Sequence, residues 1–417
     1  MSQVMNQTLK EKHASNTVAD SPAVQKVSDW LVQQGLQGSS LEELFSGYCA
    51  RLVDIGIPLW RGHIGMRILH PVYGSQTFTW RSDEGTIKDA FEYSPSNSEE
   101  WMQSPYFWMI ENNIDAHSWR IEKTVDGYAF PMFEQFDHHG GAEYLARIVG
   151  YGEDGIIEGK TGLLSSYITQ RPTGFSREEI RVIDRLTKRL ALLVKTLLNI
   201  EISKNIVDTY IGREAGRRVL KGEIRRGYHS IIPAAIYFAD LREFTSLTDR
   251  LPREDVLPML DSYFECLVKP LIEAGGDVLN FTGDGILGAF NLEGRDETTV
   301  CHAAVDAALE SFRLMKELNR QRSAERLETT TFDIVLHSGN VAFGNVGALD
   351  RLDFTAIGPA VNEAARIEQL CDALDCNLLL SDRFTQLLGE CPDIKSLGVH
   401  AFRGLRRSYE LYTVSGQ

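Results

Sequence analysis

The chain has 417 residues and a mass of 46.8 kDa, enough for two or three domains of ordinary size. Its hydrophobic (43%) and charged (24%) fractions are those of a globular protein, which excludes disorder over the whole length. The formal charge of −15 argues against a general binder of nucleic acid or anionic membrane, because phosphates need clustered Lys and Arg.

No run approaches the ~18 apolar residues of a membrane span. The best stretch, 190–198, is interrupted by Lys195 and Thr196. The first twenty residues hold no apolar core, so no secretory signal and a cytoplasmic location are expected. The cysteines (Cys49, Cys266, Cys301, Cys371, Cys376 and Cys391) form no CxxC pair and read as reduced thiols.

Residues 1–22 are polar and read as a loose tail. Residues 23–185 mix helix and strand. Ser40 and Glu43 form a capping box ahead of a helix running through Leu52. Strand-like runs follow at 64–68, 77–80, 144–151 and 162–168, and Pro and Gly make 170–174 a loop. A second capping box, Ser176 with Glu179, opens a long helix. There Leu186, Leu190, Leu193, Leu197 and Ile200 recur at coiled-coil spacing. The stripe predicts a dimerising helix, although a helix packed on its own domain carries the same pattern. Residues 203–230, rich in Arg, Lys and Gly, read as a linker with one short helix, so 186–230 is taken as dimerising helix and linker.

From 231 the texture changes. A buried strand is expected at 232–239 and a helix at 253–273. Strands at 277–281 and 286–290 flank the turn Gly283-Asp284-Gly285. A helix covers 298–319, and strands at 332–336 and 341–346 are separated by His337-Ser-Gly-Asn340. A helix begins at Pro359 and runs to 370. This order is a split βαβ layout of the ferredoxin-like kind, so 231–417 is expected to be an α+β domain.

Two acidic residues carry the chemistry. Asp240 ends a buried strand, and Asp284 sits in a Gly-Asp-Gly turn where backbone and ligand can approach closely. Either alone reads as a turn residue. Together they suggest a shared site for a hard divalent cation, which takes carboxylate oxygens and substrate phosphates. Asn362 and Arg366 lie four residues apart on one helix face. Arg offers a planar donor fork for phosphate, and Asn a neutral donor and acceptor for a ribose.

FADLREFTSLTDR, VLNFTGDGILGAF, LHSGNVAFGNVG and RLDFTAIGPAVNEAARIEQL occur in that order. Together they resemble the catalytic domain of class III nucleotide cyclases, in the bacterial adenylate cyclase branch, over about 231–415. The resemblance implies conversion of ATP to 3′,5′-cyclic AMP and pyrophosphate at a homodimer interface. It implies two Mg²⁺ or Mn²⁺ ions per site on Asp240, Asp284 and the Leu241 carbonyl. It places backbone N–H groups of Phe244 and Thr245 against the triphosphate, Asn362 at the ribose and Arg366 at the reacting phosphate. Arg403 or Arg406, with Arg406 preferred, falls where the family has a basic phosphate anchor. The metal carboxylates and the Asn/Arg pair of one site would come from opposite subunits.

Two positions depart from the best-known pattern. Asn280 stands where the family's adenine-reading Lys is expected, and Thr355 where its Asp partner is. Thr still permits a bond to the adenine amino group. Asn is shorter than Lys and uncharged, which weakens base reading by roughly 1–3 kcal/mol. ATP is the expected substrate, with GTP, or a catalytically weak nucleotide-binding regulatory protein, as the alternatives.

Residues 40–200 resemble a GAF-type sensor module in GLLSSYI, QRPTGF and SREEIRVIDRL. The resemblance implies regulation by an unidentified small-molecule effector. Trp60, His63, Trp80, Trp101, Trp108, His117 and Trp119 are candidate pocket residues, each also a natural core filler. His138-His139 lacks a third ligand at clear spacing and reads as a solvated loop.

Overall fold

A computed structural model describes residues 21–93, 98–152, 162–348, 351–402 and 407–414. The chain divides into two compact units, Met1–Ile206 and Val207–Gln417.

The first unit opens with α1 (Pro22–Gln37) and α2 (Leu41–Asp54). The expected Ser40/Glu43 capping box closes the α2 N-terminus. Strands β1 (Arg61–Arg67), β2 (Tyr73–Arg81) and β3 (Gly85–Glu92) follow, then the short helices α3 (Glu99–Met102) and α4 (Pro105–Glu111). Next come β4 (Ala116–Arg120), α5 (Met132–His138), β5 (Glu143–Gly150), β6 (Gly162–Thr169) and α6 (Arg177–Ile211). The strands form one antiparallel sheet in the order β3-β2-β1-β6-β5-β4. The period-two alternation of strand side chains gives this sheet two cores. Ile64, Phe78 and Tyr167 pack with Phe45, Tyr48 and Leu186 on one face. Tyr144 and Ile168 pack with Tyr106, Phe133 and Phe136 on the other.

The second unit contains α7 (Arg213–Leu220), β7 (His229–Leu241), α8 (Phe244–Thr248), α9 (Arg253–Glu273), β8 (Asp277–Phe281) and β9 (Gly285–Asn291). Then come α10 (Glu297–Ala324), β10 (Phe332–Ala348), β11 (Arg351–Ile357), α11 (Pro359–Glu368) and α12 (Cys371–Leu374). The unit ends with β12 (Leu378–Ser381), α13 (Asp382–Leu388), β13 (Ile394–Ala401) and β14 (Ser408–Val414). Its sheet runs β13-β14-β12-β10-β7-β9-β8, with β11 paired on β10. The segment β10-β7-β9-β8 has the strand order of the expected split βαβ fold. Helices α9 and α10 cover one face, through residues such as Leu267, Leu271 and Phe312. Helix α11 covers the other, through Ala364 and Ile367.

Three expectations change. His337-Ser-Gly-Asn340 does not separate two strands, because β10 pairs continuously with β7 from Phe332↔Leu241 to Gly344↔His229. Helix α6 continues to Ile211, past the expected start of the linker at 203. The leucine stripe is spent inside its own unit: Leu186 and Leu190 are fully buried, Leu197 is 7% exposed and Leu193 packs against the same core. Only Ile200 of the stripe is exposed. A stripe of this width serves intradomain packing as well as a dimer seam, and here the sheet and α1 supply the partner surface. All six cysteines are free, and among the described residues no helix is long and apolar enough to cross a membrane.

Leu190→Ala should therefore cost about 2–5 kcal/mol of first-unit stability by opening a core cavity, with no change of oligomeric state. Chemical denaturation beside size-exclusion chromatography checks this. Loss of self-association without loss of stability would instead make the stripe a seam.

Candidate active site

The two aspartates meet through strand register. β7 pairs with β9 so that Asp240 stands opposite Gly285, next to Asp284. The Leu241 N–H donates to the Asp284 carbonyl at 3.3 Å, and the Thr282 N–H closes the hairpin on the Gly285 carbonyl at 2.8 Å. Gly283 takes φ +83°, open to glycine at no cost. Gly285 is required by space: a Cβ there would lie 2.4 Å from Asp240 Oδ1 and 2.5 Å from the Ala239 carbonyl.

A third carboxylate joins from β10, where Asp333 stands directly across from Asp240 and is 3% exposed. Arg242 offsets it, with Nε 2.8 Å from both Asp333 oxygens and Nη1 3.4 Å from Asp372. Burial, then the charges of Asp284 and Asp333, push the Asp240 carboxyl up to about 6. Burial likewise raises Asp333 to about 6, against the Arg242 bond. Glu368, at the end of α11, is pushed up to about 7 by burial and then by Asp240. All three are therefore harder to ionise than a free carboxylate, because burial and like charge both disfavour the anion.

That is the condition a divalent metal relieves, and oxygen donors suit Mg²⁺ or Mn²⁺. Among the described residues no group of three or more His, Cys, Asp or Glu is arranged to hold a metal ion. The adjacent carboxylates of Asp240 and Asp284 offer oxygen donors of the kind a hard cation takes alongside substrate phosphates.

Beyond Asp240, Glu243 takes the left-handed conformation (φ +53°) and turns the chain into α8. Phe244 and Thr245 are the first two residues of that helix, whose opening N–H groups have no intrahelical acceptor. Asn280 is exposed on β8, and Thr355 is half-buried on β11, which packs beside β8. Asn362 and Arg366 are both exposed on α11. Arg403 and Arg406 lie outside the described residues.

The adenylate and guanylate cyclase catalytic domain family matches residues 228–416. This half of the chain is a class III nucleotide cyclase catalytic domain. It is similar to an adenylate cyclase of Anabaena cylindrica, 35% identical over 166 residues, or 39% of this chain and 32% of that protein. Adenylate cyclase 1 of Rhizobium meliloti is 28% identical over 187 residues, covering 43% of this chain and 27% of that one. The chain thus spans about a third or less of these relatives. Among solved structures, the adenylyl cyclase CyaB from P. aeruginosa is 26% identical with a TM-score of 0.42, covering 46% of this chain and 97% of that one.

The cyclase domain also uses residues that sequence reading passed over. His337, fully buried on β10, bonds Ser381 through Nδ1 at 2.7 Å and Glu363 on α11 through Nε2 at 3.0 Å. Glu363 also accepts from Arg383 at 3.2 Å. The His337 bond leads in holding the Glu363 carboxyl down near 2. Gly339 lets α11 sit close, since a Cβ there would be 2.7 Å from the Ala360 Cβ. The network fixes the helix bearing Asn362 and Arg366 to the strand paired with the Asp240 strand. The only sequence signal was His, Gly and Glu inside two quoted motifs. Asp333 gave none, and Glu368, though inside a quoted motif, reads as a surface acid at a helix end. A separate cleft of about 490 Å³, lined by Met315, Asn319, Thr331 and Asn377 among others, does not include Asp240 or Asp284.

The raised carboxyls fix the sign of a pH effect. A folded state that holds extra protons on Asp240, Asp333 and Glu368 loses stability as pH rises through roughly 4 to 7. Glu363 acts oppositely, its contribution being lost as pH falls from about 4.5 towards 2. Glu368→Gln should therefore flatten the decline in thermal midpoint between about pH 5 and 8. Calorimetry across that range reads it, and an unchanged slope would show that Glu368 ionises freely.

Proposed function

We propose that the protein is an adenylate cyclase that converts ATP to 3′,5′-cyclic AMP and pyrophosphate in a homodimer. The observation that carries this reading is the Asp240–Asp284 pair, set side by side by the β7–β9 register inside a cyclase domain. The ribose 3′-oxygen attacks the α-phosphorus, and the bond to pyrophosphate breaks. Asp240, Asp284 and the Leu241 carbonyl would hold Mg²⁺ or Mn²⁺, two ions per site. When bound, these supply charge neutralisation and ease loss of the 3′-hydroxyl proton. The Phe244 and Thr245 N–H groups receive phosphate oxygens, and Arg406 anchors the triphosphate. Asn362 orients the ribose, and Arg366 meets negative charge that grows in the transition state.

The two-subunit arrangement is supported by the phase of α11. Glu368 is the α11 residue whose charge couples to Asp240 of the same chain. Arg366, two residues earlier, points about 200° away around the helix. In this reading Arg366 serves the aspartates of a second copy, and a two-fold dimer holds two equivalent sites.

Residues 23–185 act as a GAF-like sensor module in this reading, regulating catalysis by binding a small-molecule effector. Support comes from the six-stranded antiparallel sheet with helices on one face and an aromatic core on the other. Trp60, Trp101 and Trp119 belong to that aromatic core or pack against it, and His117 and the exposed Trp108 contact Trp119. Trp80 packs in the opposite core and leaves the pocket set. His138 and His139 are exposed, and His139 stacks on Trp60 at 5.7 Å.

GTP is the second reading, favoured by the exposed, uncharged Asn280 where a charged Lys would read adenine. Asn280→Lys should raise the ATP-to-GTP preference by about tenfold if it restores one buried contact. No change would remove position 280 from base reading.

The deciding experiment measures cyclic AMP from purified protein with Mg²⁺ or Mn²⁺. Asp240→Ala and Arg366→Ala should each be inactive alone. Mixed, they should recover about a quarter of the activity, because half the dimers are mixed and each holds one complete site. A dimeric wild type that makes no cyclic nucleotide would favour a regulatory protein. An active wild type whose mixture stays silent would place both sets of residues on one chain.

A further inference from the structure

The second core of the first unit contains a buried charge without a partner. Arg61 is 8% exposed on β1, and its Nε and Nη1 are sealed from solvent and make no hydrogen bond. Among the described residues its one hydrogen bond is a 3.5 Å contact from Nη2 to the Thr79 hydroxyl, with the Tyr106 and Tyr144 phenols near it, and its guanidinium lies 5.0 Å from the Phe136 ring centroid. Among the described residues no carboxylate forms an ion pair with it. The buried Tyr106, Tyr144 and Ser166 hydroxyls lie together on the same face of the sheet, close enough to bond one another, and burial keeps both phenols neutral, so none of them supplies a negative charge. An unpaired buried cation is among the most costly features a core can hold, so a site of this kind persists where something else supplies the acceptor.

The neighbours define what is missing. Arg81 already pairs with Glu84 at 2.8 Å and adds positive potential rather than relieving it. His63, stacked near Tyr106, is pushed down to about 3 by burial and then by Arg61, so it is neutral. The rest of the wall is the Tyr144 phenol and the apolar Met109, Phe133, Phe136 and Ile168. The cluster therefore lacks one negative charge with acceptor oxygens, attached to an apolar body.

We propose that the first unit binds a small oxyanion, a carboxylate or phosphate monoester on an apolar or aromatic body, with Arg61 as its ion-pair partner and the Tyr106 and Ser166 hydroxyls as further contacts. The site is closed in this state. Tyr106 and Met109 lie on the two-turn helix α4, so entry requires α4 to move off the sheet. The proposal gives the sensor reading a ligand class and rests on that reading only for any effect on catalysis.

All six tryptophans lie in this unit, at 30, 60, 80, 101, 108 and 119, so fluorescence of the full chain excited selectively at tryptophan reports on it. Benzoate and phenyl phosphate are the probes, with benzamide as the neutral control, at constant ionic strength. At least one anion should give a saturable fluorescence change that benzamide does not, and Arg61→Met should weaken it by more than about tenfold. Preference between the two anions separates a carboxylate from a phosphate source. Because it removes an unpaired buried charge, Arg61→Met should also raise the ligand-free unfolding midpoint read by fluorescence. Saturation by neither anion up to millimolar concentration overturns the proposal. So does equal binding by the variant, or a lowered midpoint, which would mean that internal water already satisfies Arg61. None of these outcomes depends on cyclic AMP production.

Discussion

The second unit is organised around electrostatic repulsion at one end of its sheet. Register places Asp240 and Asp333 opposite each other on adjacent strands, the turn into β9 sets Asp284 beside Asp240, and α11 brings Glu368 to the same place. Like charges directly across a strand pair destabilise a sheet. Arg242, which binds Asp333, offsets them in part, while burial still holds Asp240 and Asp333 above the usual carboxylate range. A divalent cation would relieve the remaining repulsion, so the same arrangement that costs stability prepares a metal site. Gly285 makes it possible, because any side chain there would drive the hairpin off Asp240.

Around this centre the domain holds its parts by buried polar contacts rather than by apolar fit alone. The His337–Glu363 bond, with Ser381 and Arg383, ties α11 to the sheet at one point, and Gly339 removes the side chain that would hold it away. Such a network is satisfied at nearly every atom, which is the circumstance in which buried polar groups specify one geometry. The first unit differs. One of its cores is conventional, while the other leaves two nitrogens of the buried Arg61 without a hydrogen bond.

Local patterns were legible wherever a residue type has one strong local consequence. The capping boxes at Ser40 and Ser176 both formed. Helix α9 and strand β8 have the expected bounds, and the Gly283–Gly285 turn stands where the dipeptide chemistry put it. The pairing of Asp240 with Asp284 followed from two strand tips, and the ordered motifs pointed to the cyclase family. Legibility failed where a local signal has two tertiary outcomes. The Leu186–Leu197 stripe fits a seam or a core, and His337-Ser-Gly-Asn340 reads as a turn until β7 pairs along its whole length.

By itself the sequence determined the order of elements, the caps and turns, and which acids and amides carry the cyclase pattern, because these depend on residues within one or two turns of each other. Only the tertiary structure decided that Asp333 and Glu368 join Asp240, that Glu363 anchors α11 through His337, and that Arg61 is buried with no carboxylate partner among the described residues. Each of those facts depends on desolvation and charge contributed by strands far apart in the chain, and no local spacing encodes them.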